Sequence, residues 1–118
     1  MLIRDAYRMP LEEVTHEEVK RCRMQWLLNP ADGAPTFCMR RFVLEPGGHT
    51  PRHTHPWEHE VFVLAGSGRV WIDGEEHELR PGLAILVAPD EPHQFMAAED
   101  EGLEFICLVP NGPATEGH

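Results

Sequence analysis

The feature that most constrains this chain is the stretch of residues 47–68, in which histidines recur at alternate positions. His53 and His55 are two residues apart, and His59 follows four residues later. Side chains two or four residues apart on a β-strand project from the same face, and Pro56 favours extended backbone in the residue before it. Neutral imidazoles that share one face are suitable ligands for a transition metal ion. The stretch therefore predicts extended structure that carries a metal site.

The rest of the chain is dominated by short strand-like runs separated by Gly, Pro and Asp turns. The runs cover residues 19–28, 36–45, 69–79, 83–87 and 103–109. Asp73-Gly74 is a preferred pair for a two-residue hairpin turn, and the apolar run at 83–87 predicts a strand buried on both sides. Residues 2–7 are compatible with a short strand, and residues 15–18 with a capped helical turn. An all-β barrel or double-sheet jelly roll is predicted.

Composition bounds the possible partners and the cellular compartment. A chain of 118 residues favours a single domain. Its net charge of −10, without a run of Lys or Arg, argues against nucleic-acid binding. No apolar stretch is long enough for a membrane helix and no signal-peptide core is present, so we expect a cytoplasmic protein without a membrane partner. Cys22, Cys38 and Cys107 lack a C-x-x-C pair, which argues against disulfides and thiolate zinc sites; Cys22 and Cys38 are interpreted as core residues.

The histidine stretch resembles the first motif of the cupins, usually G-x5-H-x-H-x3,4-E-x6-G. Its positions here are Gly47, His53, His55, residue 59 and Gly66. The second cupin motif, G-x5-P-x-G-x2-H-x3-N, is matched at Gly82 and His93, whereas Ala88, Asp90 and Ala97 replace its proline, second glycine and asparagine. The resemblance implies an all-β, single-domain cupin over residues 1–118, a double-stranded β-helix or jelly-roll barrel. Its N-terminal strands would lie within about residues 1–35 and its barrel motifs at 47–68 and 82–97.

The carboxylate position of the first motif can be filled here by His59 or by Glu60, because the motif allows a gap of three or four residues. His59 keeps the six-residue gap to Gly66 and the parity of His55, whereas Glu60 projects from the opposite face of a strand. We therefore predict His59. The predicted metal ligands are His53, His55, His59 and His93.

The four histidines define the predicted ligand set but leave the identity of the metal ion open. Imidazole suits Zn, Cu, Fe and Ni, and affinity alone favours Cu or Zn over Mn. The whole sequence, including FCMRRFVLEPGG and FICLVP, is similar to small cupins that hold manganese with four histidines. This resemblance makes manganese the first choice of cofactor, with Fe, Zn, Ni and Cu as alternatives.

A pocket is expected beside the metal. Phe105 and Cys107 share parity on the last strand, and the resemblance places Cys107 facing the barrel. Cys107 is open to two interpretations, a pocket thiol or a core cysteine. Arg40 and Arg41 have opposite parity, so one should face inward and the other outward, and the resemblance brings Arg40 to the pocket rim. Both can also be read as surface charges.

The predicted function is a metal-dependent oxidoreductase, dioxygenase-like or peroxide-using, that acts on a small organic substrate. The alternative is a non-catalytic binding or sensing cupin in which the metal is structural or anchors a ligand, since one fold serves several functions. No catalytic acid–base pair stands out.

A homodimer is also expected, because residues 2–7 and 19–28 could extend a neighbour's sheet and most oligomers are two-fold symmetric.

Overall fold

The computed structural model describes residues 1–112; part of the polar tail at 111–118, including His118, lies outside the described residues. Nine β-strands follow one another with two short 3-10 turns, Ala6–Arg8 and Pro30–Asp32. In chain order the strands are β1 Glu12–Glu13, β2 Lys20–Leu28, β3 Phe37–His49, β4 His59–Gly66, β5 Gly68–Ile72, β6 Glu75–Leu79, β7 Ala84–Val87, β8 His93–Ala97 and β9 Leu103–Pro110. The predicted all-β class is confirmed.

The strands form one curled antiparallel sheet in the order β6-β5-β8-β3-β9-β4-β7, with β2 paired to β3 and β1 paired to β2. β3 pairs with β9 from Leu44↔Leu103 to Phe37↔Pro110, and β9 pairs with β4 on its other side. The hairpin of β5 and β6 turns at the predicted Asp73-Gly74 pair, and both residues adopt positive φ. This strand order is the predicted jelly roll.

The core lies on the concave side of the sheet and is built from alternate residues of several strands. Its buried apolar members include Leu44, Val61, Val63, Val70, Val87, Phe95, Leu103, Phe105, Cys107 and Val109. Period-2 alternation puts every second residue of β9 on this side, since Leu103, Phe105, Cys107 and Val109 are all buried. One end of this concave side carries the histidines.

Gly66 ends β4 at the position of the last glycine in the first motif. Its φ is +86°, in the left-handed region that favours glycine. A Cβ there would collide with the carbonyl of Gly102. The glycine is therefore required by both the backbone conformation and the close approach of a neighbouring chain segment.

The predictions for the N-terminal segment were largely wrong. Residues 2–7 form no strand; instead Asp5 caps the 3-10 turn by accepting a hydrogen bond from the Tyr7 N–H. In the loop between β1 and β2 a single hydrogen-bonded turn forms, in which the Val19 N–H donates to the His16 carbonyl at 3.0 Å. His16 Nδ1 accepts from the Glu18 N–H at 3.1 Å, where the sequence had pointed to Thr15 as the cap. β2 is a strand as predicted, but it pairs with β3 of the same chain and so extends its own sheet.

One further expectation needs correction. The run at 83–87 is not buried on both sides, because Leu86 on β7 is 62% exposed while Val87 is fully buried. Among residues 1–112 the outward side chains of β7 are left exposed, so only its inward residues are covered. Among residues 1–112, no helix is both long and apolar enough to cross a membrane.

Candidate metal centre and pocket

The histidines of the two motifs reach the same place from strand ends and from one loop. His59 is the first residue of β4 and His93 the first residue of β8. His53 lies in the loop between β3 and β4, where it forms a backbone bridge with His93, with N–H···O distances of 3.2 and 3.0 Å. His55 lies two residues further along the loop, and its carbonyl accepts a hydrogen bond from the Asp90 N–H at 2.8 Å. These backbone hydrogen bonds hold the loop next to β8 independently of any metal ion.

The side chains converge. The donor atoms of His53, His55 and His93 all lie within 4.8 Å of one another, close enough to share one metal ion. His59 lies against this group: its Nε2 is 2.5 Å from His55 Nε2, and its ring centroid is 5.1 Å from that of His93. All four predicted ligands are therefore together. Their role as the complete ligand set stays a prediction.

Hydrogen bonds to the outer ring nitrogens fix the tautomers. His55 Nδ1 is 2.9 Å from the Trp57 carbonyl, and His93 Nδ1 is 2.8 Å from the Glu91 carbonyl. A carbonyl only accepts, so each Nδ1 must carry the hydrogen and each Nε2 keeps its lone pair. This is the arrangement that metal-ligating histidines use. The donor set therefore fits a divalent transition metal.

Burial keeps these imidazoles neutral. It lowers the pKa of His55, assisted by the nearby His93 and Arg40 and opposed by the hydrogen bond to the Trp57 backbone. It also lowers the pKa of His93, against the opposing effects of the Glu91 backbone hydrogen bond and carboxylate. Only a neutral imidazole offers a lone pair to a metal. Both rings therefore stay neutral, and able to bind a cation, to a lower pH than an exposed imidazole would.

Cys107 connects His59 to Arg40. His59 Nδ1 lies 3.0 Å from Cys107 Sγ, and Arg40 Nη2 donates to the same sulfur at 3.2 Å. Burial raises the pKa of the Cys107 thiol, an effect that Arg40 partly opposes. If the sulfur also accepts from His59 Nδ1–H, the His59 Nε2 lone pair faces the other imidazoles. Cys107 then orients His59 as carbonyls orient His55 and His93.

A cavity of about 300 Å³ opens beside the histidines. Its wall includes the predicted pocket residues Arg40, Phe105 and Cys107, together with His53, His59 and His93. Most of the remaining lining is apolar: Val14, Val19, Cys22, Met24, Phe42, Pro51 and Phe95. A small molecule with a largely apolar body therefore suits this space.

Sequence reasoning missed one wall of the cavity. Cys22 is buried, as its interpretation as a core residue predicts, but it also lines the cavity, and the exposed residues Thr15 and His16 lie beside it. The alternation of Cys22 and Met24 on β2 was a usable signal, because both project to one face. No pattern in the loop marks His16, which reaches the cavity only because β2 folds over the barrel.

The remaining candidates lie outside the histidine group. Glu60 is exposed on the outer face of β4, where it pairs with Leu86 and Leu108 of neighbouring strands. Trp57 stacks on His55 with ring centroids 4.5 Å apart and shields that ring. His49 Nδ1 lies 3.1 Å from the Thr50 carbonyl, on the side of β3 away from the group.

Arg40 and Arg41 separate as their parity predicts, but neither is a surface charge. Arg40 faces the cavity and is 2% exposed, so it lies in the wall and not at the rim. Arg41 faces the other side of β3 and is also buried, because Tyr7 of the N-terminal segment stacks over its guanidinium. The inward and outward directions are therefore as predicted, and the alternative reading of both arginines as surface charges is wrong.

Comparison with known proteins agrees with this architecture. Residues 40–109 match the family described as "Cupin domain". The polyketide cyclase RemF from Streptomyces resistomycificus superimposes with a TM-score of 0.89 at 32% identity, over 95% of this chain and 80% of that one. The chain belongs to the cupin family.

Two curated relatives are enzymes by name. The dimethylsulfoniopropionate lyase DddW of Ruegeria pomeroyi is 34% identical over 86% of this chain and 66% of its own length. The 1-methylthio-D-xylulose 5-phosphate methylsulfurylase of Rhodospirillum rubrum is 32% identical over 60% of this chain and 46% of its own length. The chain thus spans only about half to two thirds of these relatives.

Proposed function

We propose that this cupin is a metal-dependent enzyme that acts on a small, largely apolar organic molecule. The observation that carries the proposal is the continuity of site and cavity: His53, His59 and His93 contribute both to the histidine group and to the cavity wall. A molecule in the cavity would therefore lie next to a bound metal. A purely structural metal site is normally closed to ligands.

The chain's own residues would hold the metal through His53, His55, His59 and His93, with manganese as our first choice. A bound divalent ion would supply Lewis acidity towards an oxygen of the substrate. The largely apolar wall lowers the local dielectric constant and so strengthens electrostatic interactions in the cavity. Phe95 and Phe105, whose ring centroids are 4.9 Å apart and whose planes are inclined by 32°, line the cavity with aromatic surface against which an apolar body can pack.

We propose oxidation of the substrate with dioxygen or peroxide as the reaction, on the grounds that four ligands leave coordination positions for a second reactant. A non-oxidative reaction is the second candidate, favoured by the names lyase, methylsulfurylase and cyclase among the relatives. A carboxylate-free ligand set also favours it, because such a set stabilises the divalent state. A binding or sensing role without turnover is the remaining alternative.

A substrate screen separates these proposals. Protein loaded with Mn, Fe or Zn is incubated with small phenols, diketones and thioethers, and dioxygen uptake is followed beside product analysis by mass spectrometry. Metal-dependent dioxygen uptake with an oxidised product supports the oxidoreductase. Metal-dependent conversion without uptake supports the non-oxidative enzyme. Saturable ligand binding without conversion under any metal contradicts the enzyme proposal.

We also propose a homodimer, but through a different surface from the one first expected. Phe62, Leu64 and Leu86 project from the outer face of β4 and β7 and are 47%, 38% and 62% exposed. An exposed apolar row of this kind is typical of an interaction surface. Light scattering should give twice the chain mass, and Phe62→Asp should shift the protein towards monomer. A monomeric wild-type protein at micromolar concentration contradicts the proposal.

A further inference from the structure

Two adjacent buried arginines on β3 differ in how their charge is compensated. Arg41 Nε is 2.5 Å from a Glu104 carboxylate oxygen, and its Nη1 donates to Gln25 at 3.0 Å. Arg40 has no such partner among residues 1–112: its hydrogen bond goes to the neutral Cys107 thiol, and its Nε is buried without any partner. Within residues 1–112, the charge of Arg41 is therefore balanced by a carboxylate, whereas the charge of Arg40 is not.

The surroundings of Arg40 only partly offset this lack. Its guanidinium lies over Trp26 and Phe42, with the carbon 5.4 and 5.0 Å from the ring centroids. Such stacking stabilises a cation modestly, and a thiol is a weak acceptor. The guanidinium cannot lose its proton to escape burial. A full positive charge therefore stays in a largely apolar wall.

The cavity that Arg40 lines contains no carboxylate among its described residues. Its other titratable groups there are neutral or cationic: the imidazoles of His16, His53, His59 and His93, and the buried thiols of Cys22 and Cys107. A metal ion at the histidines would add further positive charge to the same space. The missing anion must then come from a molecule that enters the cavity.

We propose that Arg40 binds the carboxylate of a small, largely apolar carboxylic acid, which is thereby the substrate class of this cavity. The inference deepens the proposed function and rests on it for the word substrate. The guanidinium matches a carboxylate because its N–H groups lie in one plane, and stacking on Trp26 and Phe42 leaves the in-plane edge for the ligand. The phenyl rings of Phe95 and Phe105 then receive the apolar body.

Two acid–amide pairs test this inference: benzoate against benzamide, and hexanoate against hexanamide. Each is titrated into the protein as purified and after removal of metal with a chelator, by calorimetry and NMR at pH 7. We expect each acid to bind at least about tenfold more tightly than its amide, because a hydrogen bond to a charged group contributes that much. The preference should persist without metal.

Substitutions locate the anion. Arg40→Gln should weaken benzoate binding about tenfold or more, and Arg40→Lys should retain part of it, since Lys keeps the charge but not the planar pair of donors. Arg69→Gln is the matched control, because Arg69 carries the same charge on the surface, where it pairs with Glu76. It should leave binding unchanged. If Arg40→Gln does not fold, the acid–amide comparison in wild-type protein still decides.

Several outcomes would overturn the inference: no saturable binding of either acid, equal affinity for acid and amide, or acid binding that disappears with the metal and is insensitive to Arg40. The last result would assign the carboxylate to the metal. Tight, Arg40-dependent binding with no turnover of any carboxylic acid would show that the carboxylic acid is a ligand and not the substrate, and would leave the binding site standing. The two proposals can therefore fail separately.

Discussion

Consecutive residues of strand β4 face opposite sides of the sheet, and their exposure to solvent differs accordingly. On the inner face His59, Val61 and Val63 are 6% exposed or less, whereas Phe62 and Leu64 on the outer face are 47% and 38% exposed. Residues adjacent in sequence therefore lie in different environments, one in the barrel interior and the next at the protein surface. The inner face carries the histidine and the outer face the carboxylate. The chemistry of the site follows from parity and not from the mere presence of both residues.

On β3, in contrast to β4, part of the outer face of the sheet is shielded from solvent. Arg40 on the inner face lines the cavity, while Arg41 on the outer face is buried under the N-terminal segment and paired with Glu104. An inward residue at this end of the barrel faces the cavity, and an outward one faces solvent or another layer of the same chain. The comparison predicts that inner-face substitutions alter metal or ligand binding and that outer-face substitutions do not.

The largest effect is expected at His93, the most deeply buried of the metal-site candidates. His93→Ala should lower metal affinity by more than about 100-fold, because loss of a ligand exceeds the usual loss from altering an outer partner. His77→Ala is the control, since His77 is exposed on β6 and its ring lies 3.5 Å from the Glu75 carboxylate. Competition against a chromogenic chelator measures both. Equal affinities for the two variants would remove His93 from the site.

The second prediction tests adjacent residues on opposite faces. His59→Ala should cost at least about tenfold in metal affinity, whereas Glu60→Gln should leave it nearly unchanged because Glu60 is on the outer face. If Glu60→Gln lowered metal affinity more than His59→Ala did, Glu60 would be the fourth ligand and β4 would need a different register.

The third prediction concerns the residue that orients His59. Cys107→Ser should reduce metal affinity by up to about tenfold, because a hydroxyl can replace the thiol in hydrogen bonding but is smaller. Cys38→Ser is matched to it, since Cys38 is equally buried but donates to Asn111 away from the cavity. If the two variants bind metal identically, Cys107 does not position His59.

The smallest effect is a pH dependence of metal-free stability. Burial lowers the folded-state pKa values of His55 and His93, so the folded state binds fewer protons than the unfolded chain below about pH 6.5. Stability should be complete above that pH and fall as the pH drops towards the folded-state values, with a Tm lower by a few degrees at about pH 5. Metal affinity should fall in the same direction. Replacing both histidines by Gln should flatten the dependence; an unchanged slope would assign it to other groups.

The fold and the centre of the site could be predicted because both follow from local periodicity. Alternation located β4 and β9, and Asp73-Gly74 located a hairpin. The spacing of His53, His55 and His59 pointed to the right group of residues, but His53 and His55 lie in a loop with bends at residues 56–57, so the expected continuous extended strand was wrong. Even here the local signals had limits. β3 was expected to end before Pro46 but continues to His49, because Gly47 takes a φ of +77° and donates to the Ala98 carbonyl.

What could not be predicted depends on contacts between distant segments. The cover of Arg41 by Tyr7 and the entry of His16 into the cavity arise because residues 1–28 fold back over the barrel, and no local pattern encodes that path. The half-exposed edge of β7 has the same cause, since an apolar run does not reveal whether a second layer covers it. The unpaired charge of Arg40 likewise becomes visible only once its neighbours are known.

The most direct test of the central claim is the metal content of the protein, determined by elemental analysis after purification without added metal or chelator. The account predicts about one divalent transition metal ion per chain, held by the inner-face histidines. His93→Ala protein prepared in parallel should contain almost none, and Glu60→Gln protein the wild-type amount. Metal-free wild-type protein that also fails to bind Mn, Fe, Ni, Cu or Zn on titration would contradict the account.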